Sequence, residues 1–336
     1  MLVACTMLVA LPATALAGHV LDRFTAPNPP LFDPSIDCYH TPRIFDPNVA
    51  VSVYNDVDGG WGSYTWTVGA VALAPWNTFD SAISFDFSGT LVAYQQSGIY
   101  VTDGSGSYPV RVGGGRCANP AIDGYRVVWQ DDRNGNWDIY GADLDPVTLA
   151  VTNEFAVCAA RGTQSKPDIA NGWCVWQDKR SGRFDIYGKN LASGHVYRLC
   201  GNTRSQDSPR TDGDWVVWTD WRNSGFSADI YGKKLPAGRE RRICHAREKQ
   251  WEPVVSDGFV VWTDHRSRFR YHIDEPPQYS LRGYEISSRD AFMVRDLWGG
   301  EAHPDMSADT VVWVRADDMH MGQIVWGMLE GAHLQH

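Results

Sequence analysis

The chain has 336 residues, of which 43% are hydrophobic and 15 are tryptophan, and its formal net charge is −10. This length and apolar content predict a folded protein of one large or two ordinary domains and argue against a disordered chain. The acidic balance, without any long basic run, makes nucleic acid and anionic membrane surfaces poor partners, so neither is expected.

The first segment, residues 1–17, is predicted to be a secretory signal peptide. It is apolar as far as Leu11, and small residues precede Gly18, which fits cleavage after Ala17. Cys5 fits a lipoprotein box, but no apolar stretch precedes it. No later stretch has the ~20 apolar residues that cross a bilayer. We therefore expect an exported protein without a transmembrane segment, located outside the cell, at the cell surface or in the periplasm.

A repeated unit follows, with 42 to 51 residues between successive anchor tryptophans, and a proline lies nine residues before each anchor. The anchors are Trp129, Trp176, Trp218, Trp262 and Trp313, and the prolines are Pro120, Pro167, Pro209, Pro253 and Pro304. Degenerate copies around residues 51–54 and Tyr94 bring the number of units to seven. Self-similarity at this period indicates a repeat architecture.

Each unit reads as four short strands, and no helical period occurs. The sequence therefore predicts an all-β fold, a seven-bladed β-propeller of four-stranded antiparallel blades, as a single domain over residues 18–336. The last unit lacks a fourth strand, and residues 18–40 are expected to supply it, which would hide two open sheet edges. The alternative is that this segment completes the last blade of a neighbouring subunit and so forms a polymer.

The hairpin of the third unit, "WQDDRNGNWDIYG" from Trp129 to Gly141, contains residue types used in catalysis and in calcium binding. Asp131 and Arg133 recur in the next two units, which favours a structural ion pair, because catalytic residues do not recur in every blade. The weak metal candidates are Asp132, Asn134, Asn136 and Asp138. The next units do not keep this oxygen series, and Asn-Gly is a tight-turn signal, so a hairpin turn is the preferred interpretation.

The pattern W-x-D-x-R…D-I-Y-G, followed by Q-x-x-P, resembles the TolB-type propeller repeat, in the version found in bacterial and archaeal cell-surface proteins. The resemblance covers about residues 85–330. It implies the fold but no activity, because the family includes binding scaffolds, the propeller part of prolyl-oligopeptidase-type enzymes and some polysaccharide lyases. The Gln-x-x-Pro element appears at Gln164, Gln206 and Gln250, and the seventh unit departs from it with Glu301.

Six cysteines follow the predicted signal, and the sequence gives no confident pairing among them. Cys158, Cys200 and Cys244 occupy equivalent positions on outer strands, which are too far apart for disulfides with one another. Cys38 and Cys117 are expected in loops, and the remaining one, at position 174, is expected in a buried strand. Buried free thiols and intermolecular bridges both remain open.

The sixth unit carries an insertion, residues 267–283, in a turn that is short elsewhere. From Trp262 to Tyr284 is 22 residues, whereas from Trp129 to Tyr140 is 11. Insertions on one face of a repeat ring are often recognition elements, and a harmless loop is the equal alternative. The candidate binding residues are Arg268, Arg270, Tyr271, His272, Asp274 and Glu275 in the insertion, with Arg204 and Arg247 in the links between blades.

Other link residues, Arg161, Lys166 and Lys249, add cations to the same face, which favours an acidic sugar or a partner's carboxylate. The histidines at 40, 245, 272 and 303 have no metal-site spacing, and no cofactor is expected. A peptidase is excluded as a template, because no G-x-S-x-G elbow occurs.

The expected function is therefore non-catalytic: binding, adhesion or assembly at the cell surface, with a protein, a polysaccharide or further copies of the chain as partner. The alternative is a propeller-type polysaccharide lyase acting on uronic-acid polymers. Such an enzyme would need a base, together with a charge stabiliser or metal, on the axial face.

Overall fold

The structure, a computed structural model, describes the backbone of residues 20–25, 38–39, 43–45, 48–55, 60–67, 74–75, 84–103, 110–113, 115–223, 227–246, 249–265, 278–298, 303–316 and 322–329. Side chains are described for 84–103, 110–113, 115–223, 227–246, 249–265, 279–294, 303–313 and 329. Every regular element in these ranges is a β-strand. No helix there is long and apolar enough to cross a membrane.

The first strands along the chain include one sheet of five strands. In chain order the strands are β1 (Val20–Thr25), β2 (Cys38–Tyr39), β3 (Arg43–Phe45), β4 (Asn48–Asn55), β5 (Gly60–Thr67) and β6 (Ala74–Pro75). Strands β2 and β3 pair with the two ends of β4, which pairs on its other edge with β5. The two short pieces therefore act as one interrupted strand, and the sheet has the width of four.

Antiparallel sheets of four strands follow, each pairing in chain order. They contain β7 (Ser84–Ser88), β8 (Leu91–Gln95), β9 (Ile99–Thr102) and β10 (Val110–Gly113); β11 (Cys117–Asp123), β12 (Arg126–Asp131), β13 (Asp138–Leu144) and β14 (Val151–Cys158); β15 (Gln164–Ala170), β16 (Trp173–Asp178), β17 (Asp185–Asn190) and β18 (Val196–Cys200); β19 (Gln206–Thr211), β20 (Trp215–Asp220), β21 (Asp229–Lys234) and β22 (Arg241–Cys244); β23 (Gln250–Ser256), β24 (Phe259–His265), β25 (Gln278–Glu285) and β26 (Ala291–Trp298).

The last sheet combines the two ends of the chain. Its strands are β27 (Asp305–Ser307), β28 (Thr310–Ala316) and β29 (Gly322–Leu329), and β1 pairs antiparallel with β29. Phe24 lies opposite Trp326 in this pairing. The N-terminal strand thus supplies the fourth strand within its own chain, and it covers the edge that β29 would otherwise leave open.

The first strand of each four-stranded sheet, called the inner strand here, contacts the inner strands of its neighbours. Strand β7 contacts β11, β11 contacts β15, and the series continues in the same way through β19, β23 and β27. Strand β27 then contacts β3, and β3 contacts β7, which closes the circuit. The sheets therefore surround a central axis, as the blades of a propeller do.

The anchor tryptophans fill the space between neighbouring sheets. Trp129, Trp176 and Trp218 are 0% exposed. Trp129 packs with Leu91 and Ile99 of the preceding sheet as well as with its own strand neighbours. Both faces of each middle strand are buried in this way, which explains the unbroken V-V-W runs in the sequence.

A carboxylate at the end of the strand links each of three anchors to an arginine in the turn that follows. Asp131 accepts hydrogen bonds from Nε1 of Trp129 (3.0 Å) and from Nε and Nη2 of Arg133 (2.9 and 2.6 Å). The guanidinium lies 4.0 Å from the centre of the Tyr140 ring. The same clasp joins Trp176, Asp178, Arg180 and Tyr187, and again Trp218, Asp220, Arg222 and Tyr231. This repetition supports the structural interpretation of the motif.

The clasp predicts a specific loss of stability in acid. Burial raises the pKa of Asp131, but the hydrogen bonds from Arg133 and Trp129 outweigh burial and hold that pKa at about 2, below the ordinary 3.8. Because the pKa of Asp131 is lower in the folded state than in the unfolded state, the ionised carboxylate stabilises the fold. This stabilisation is complete above about pH 4 and is lost as the pH falls towards 2. We expect the denaturant midpoint of the native chain to fall more steeply over this window than that of Asp131→Asn. Parallel pH profiles would contradict the prediction.

The sixth sheet departs from the repeat in register. Trp262 lies opposite Arg282, whereas Trp129 lies opposite Tyr140. The alignment of Tyr284 with Tyr140 in the sequence was therefore wrong by two residues. Nε of Arg282 lies 3.8 Å from Oδ2 of Asp264, so in this sheet a guanidinium from the opposite strand approaches the clasp carboxylate.

The cysteines whose side chains are described, at positions 117, 158, 174, 200 and 244, form no disulfide with one another. The expectation that Cys117 lies in a loop is wrong, because it is the buried first residue of inner strand β11, three residues before its proline. Sγ of Cys158 lies 3.1 Å from Nη2 of Arg180 in the next sheet, and Cys200 is 3.3 Å from Arg222 in the same way. Burial raises the pKa of both thiols, so they pack between sheets as neutral groups.

Candidate functional site

The residue before each blade proline has a left-handed backbone. The φ angles are 49° for Asn119, 50° for Lys166, 51° for Ser208, 53° for Glu252 and 41° for His303. A register shift accompanies this conformation in β11, β15, β19 and β23, so these residues form β-bulges. Bulges re-aim side chains, and strained backbone of this kind persists only where the surroundings fix it.

The prolines themselves are tolerated because of where the inner strands lie. An inner strand is an edge strand of its sheet, and its free edge faces the axis. Proline lacks an N–H group, so at such an edge it removes no hydrogen bond from the sheet. This explains why Pro120, Pro167 and their equivalents recur inside strands that otherwise pair regularly.

Glutamines of neighbouring sheets hold three of the bulges in place. The backbone N–H of Asn119 donates to Oε1 of Gln95 (3.3 Å) in the preceding sheet. The N–H of Lys166 donates to Gln130 and that of Ser208 donates to Gln177, both at 3.1 Å. These bonds connect adjacent sheets and fix the direction of each bulged side chain.

Together the bulges surround a cavity on the axis. The cavity has a volume of about 220 Å³ and is lined by all five blade prolines and by Asn119, Lys166, Ser208 and Glu252. The cavity lies towards the N-terminal end of the inner strands. In β11 this is the end where Cys117 pairs with Asp131, the last residue of β12. We call the bulged ring, with His303 beside Glu252, the axial mouth.

The axial mouth presents charges of both signs. Nζ of Lys166 donates to Oγ of Ser208 at 2.9 Å. Nδ1 of His303 lies 2.8 Å from Oε2 of Glu252, and both side chains are partly exposed. Nδ2 of Asn119 donates to Gln130 at 2.8 Å. A cation, a carboxylate, a hydroxyl and an amide therefore converge on one small polar cavity, and an imidazole lies beside the carboxylate.

Below the mouth, an arginine crosses the axis. Arg210 lies 3.2 Å from Asp168 through Nη1 and 3.3 Å from Asp305 through Nη2, and these two carboxylates belong to different sheets. Arg210 lines both the mouth cavity and a second cavity of about 230 Å³ nearer the other end of the inner strands. The ion pairs thus divide the axial space into two chambers.

The mouth lies towards the end of the molecule that carries the long hairpin turns and the links between sheets. These turns and links contact one another: the N–H of Gln164 donates to the carbonyl of Trp137 at 2.7 Å, and that of Lys179 to Thr163 at 2.8 Å. We call this end the hairpin face. Insertion 267–283 interrupts the β24–β25 turn of the same face, and its last residues, 278–283, belong to strand β25.

The structure describes only part of the predicted site. Arg204 is exposed on the hairpin face. The following candidates lie outside the described residues: Arg268, Arg270, Tyr271, His272, Asp274, Glu275 and Arg247. Their role stays a prediction.

The weak metal candidates are engaged with one another and with a neighbouring arginine. Asn134 and Asn136 donate through Nδ2 to Asp138, at 2.8 and 2.7 Å, and Nε of Arg116 lies 3.2 Å from Asp132. The two amides thus present nitrogen to the carboxylate. Among the described residues, no group of three or more His, Cys, Asp or Glu side chains is placed to hold a metal ion.

Sequence reasoning missed most of the axial mouth. It named Lys166 and His303, but it did not group them with Asn119, Ser208 and Glu252. The signal that could have found the ring is the residue immediately before each proline, since equivalent positions of a closed repeat converge on its axis.

The sequence matches no protein-family model and no curated protein. Solved structures are similar at low identity. A TolB-like protein from Agrobacterium tumefaciens matches with a TM-score of 0.51 and 18% identity, over 79% of this chain and 94% of that chain. The β-propeller domain of the Trilobed protease from Pyrococcus furiosus matches with a TM-score of 0.63 and 12% identity, over 87% and 96%. An oligogalacturonate lyase in complex with manganese matches with a TM-score of 0.60 and 10% identity, over 94% and 97%.

The chain spans between 35% and 56% of several peptidase chains that it also matches. At these identities the likeness concerns the fold alone. The chain therefore has an all-β, TolB-like propeller fold.

Proposed function

We propose that this chain is an exported, seven-bladed β-propeller that binds a protein or a polysaccharide at the cell surface and catalyses no reaction. The six four-stranded sheets, the five-stranded sheet and the circuit of inner-strand contacts through β3 support the count of seven blades. Export is proposed from the apolar segment 1–17 and its small residues.

The observation that carries the proposal is the axial mouth, where four bulged side chains line a small polar cavity and His303 lies beside one of them. Its size suits one projecting group of a larger partner, such as a side chain or a sugar unit, and its mixed charges suit polar recognition. The repeated Asp and Arg residues are used in the clasps between strands, so they are not available for chemistry.

A lyase is the second candidate, and one observation favours it. His303 and Glu252 are 2.8 Å apart beside the mouth, and Lys166 lines the same cavity. A histidine oriented by a carboxylate is a suitable general base, and a lysine is a suitable partner for a sugar carboxylate. The fold likeness to an oligogalacturonate lyase adds only the architecture.

Two measurements test the proposal. The labelled protein is added to isolated cell envelopes, and we expect saturable binding that weakens in Lys166→Ala. In parallel, uronic-acid polymers are incubated with the protein, with and without divalent cations, and absorbance of an unsaturated product is followed. We expect no product. Product formation that is lost in His303→Ala would establish the lyase instead, and envelope binding that Lys166→Ala leaves unchanged would exclude the mouth as the contact.

A further inference from the structure

A second cleft lies on the hairpin face, between the turn of the β16–β17 hairpin and the link that leads into β19. Its volume is about 480 Å³, and its lining includes Arg183, Arg204 and Trp221, with hydroxyls from Thr203 and Ser205. We call it the Trp221 cleft. It is separate from the axial mouth, with which it shares no lining residue.

Two arginines line this cleft, and a lysine lies beside its aromatic ring. Arg183 and Arg204 are exposed, and the ammonium of Lys249 lies 6.0 Å from the centre of the Trp221 ring. Within the described residues none of the three makes an ion pair, whereas Arg116 on the same face pairs with Asp132. On a chain of net charge −10, uncompensated cations of this kind create a local positive potential that attracts an anion.

The aromatic ring in the cleft is held in a fixed orientation. Nε1 of Trp221 donates to Oδ2 of Asp207 at 2.8 Å, and its backbone N–H donates to Ser205 at 3.1 Å. The equivalent position, directly after the clasp aspartate, is Asp132 in the third unit and Lys179 in the fourth. The tryptophan therefore breaks the repeat at a place where the fold does not require it, and its half-buried indole offers an apolar platform with a polar surround.

The arrangement of cations beside aromatic rings continues along the same face. Nζ of Lys179 lies 5.7 Å from the centre of the Phe184 ring, and Arg161 is exposed in the preceding link. Successive links and turns thus present further cations on this face, which favours an extended anionic ligand over a single charge.

We propose that the Trp221 cleft binds a linear acidic polysaccharide, with one sugar ring packed on the indole and its carboxylate paired with Arg183 or Arg204. An arginine guanidinium matches a carboxylate with two parallel hydrogen bonds. The flat ring favours a pyranose over an acidic peptide, which has no comparable face to lay on it. This inference rests on the proposed binding function and names its ligand class.

The test is calorimetric titration of the full chain with a tetramer of galacturonate, its methyl ester and hexaglutamate. We expect the acidic tetramer to bind, the ester not to bind, and affinity to fall with added salt. Arg183→Ala/Arg204→Ala should weaken binding about tenfold or more, since one charge-assisted pair accounts for that factor. Trp221→Ala should weaken it as well.

Arg116→Ala is the matched control, because it removes an exposed cation of the same face that is already paired, and it should bind as the native chain does. The arginine variants lie on the surface and should keep the native unfolding midpoint. No binding of the tetramer, equal binding of the ester, or equal binding by the double variant would overturn the inference. Binding of hexaglutamate alone would overturn it in favour of a protein partner. Loss of tetramer binding with retained envelope binding would refute this ligand and leave the proposed function standing.

Discussion

Replacement of Trp176 by alanine is expected to lower the free energy of unfolding by about 3–5 kcal/mol. Trp176 is 0% exposed and packs with Val128, Ile139 and Val157 of the preceding sheet. The indole fills the space between two sheets that are each held by contacts on their other sides. Little collapse can therefore offset the cavity, which places the cost near the upper part of the usual range. Equilibrium unfolding in denaturant measures the change.

Trp221→Ala is the matched control for this variant. Its indole is half-buried on the hairpin face and makes one hydrogen bond, to Asp207. We expect a loss of about 1–2 kcal/mol from that bond and from partial packing. An equal loss of stability in the two variants would mean that packing of the anchor tryptophans between the sheets does not stabilise the fold.

Replacement of Asp178 by asparagine is expected to cost about 3 kcal/mol, because it leaves a partly buried guanidinium without its counter-charge. The carboxylate of Asp178 is 0% exposed; it accepts from Nε1 of Trp176 at 3.0 Å and is 2.6 Å from Nη2 of Arg180. An asparagine side chain keeps the shape of the aspartate, but its amide has one oxygen that accepts and one NH2 group that donates. The NH2 group would then face N–H groups that also donate. Denaturant unfolding again gives the magnitude.

Asp132→Asn removes a carboxylate of the same type from a surface ion pair, with Arg116, whose side chain is 78% exposed. Exposed pairs contribute little, so the expected loss is below about 1 kcal/mol. A loss at Asp178 no larger than that at Asp132 would mean that the clasp does not stabilise the blade.

The repeat made the strands predictable, because each unit shows the same apolar run and the same turn at the same spacing. Burial on both faces of a middle strand requires a continuous run of apolar residues, such as the one that ends at Trp176. The clasp residues recur in three units, and this recurrence indicates that Asp178 has a structural role. The pairing of β1 with β29 was also accessible, since the last unit was one strand short. These features depend on the local residue pattern and on the number of strands in each unit, and both can be read from the sequence.

The axial mouth could not be read in the same way. Whether a pre-proline side chain points to the axis or into the sheet depends on a bulge, and a bulge is set by the pairing of the whole strand. Glu252 and His303 are 51 residues apart and meet only because the ring brings their sheets together. The error at Tyr284 has a related cause: after a long insertion, register is decided by pairing, and Arg282 takes the place opposite Trp262.

The insertion in the sixth unit is the largest departure from the repeat. Residues 266–277, which connect β24 to β25 along the chain, lie outside the described residues. The contribution of the insertion to recognition stays a prediction.

We propose that the chain forms a closed ring of seven blades, completed by its own N-terminal strand, with one binding face. Electron microscopy of the purified chain as single particles tests it most directly. We expect isolated discs whose class averages show seven blades around a central axis. Filaments joined through the N-terminal strand, or averages with another number of blades, would contradict it.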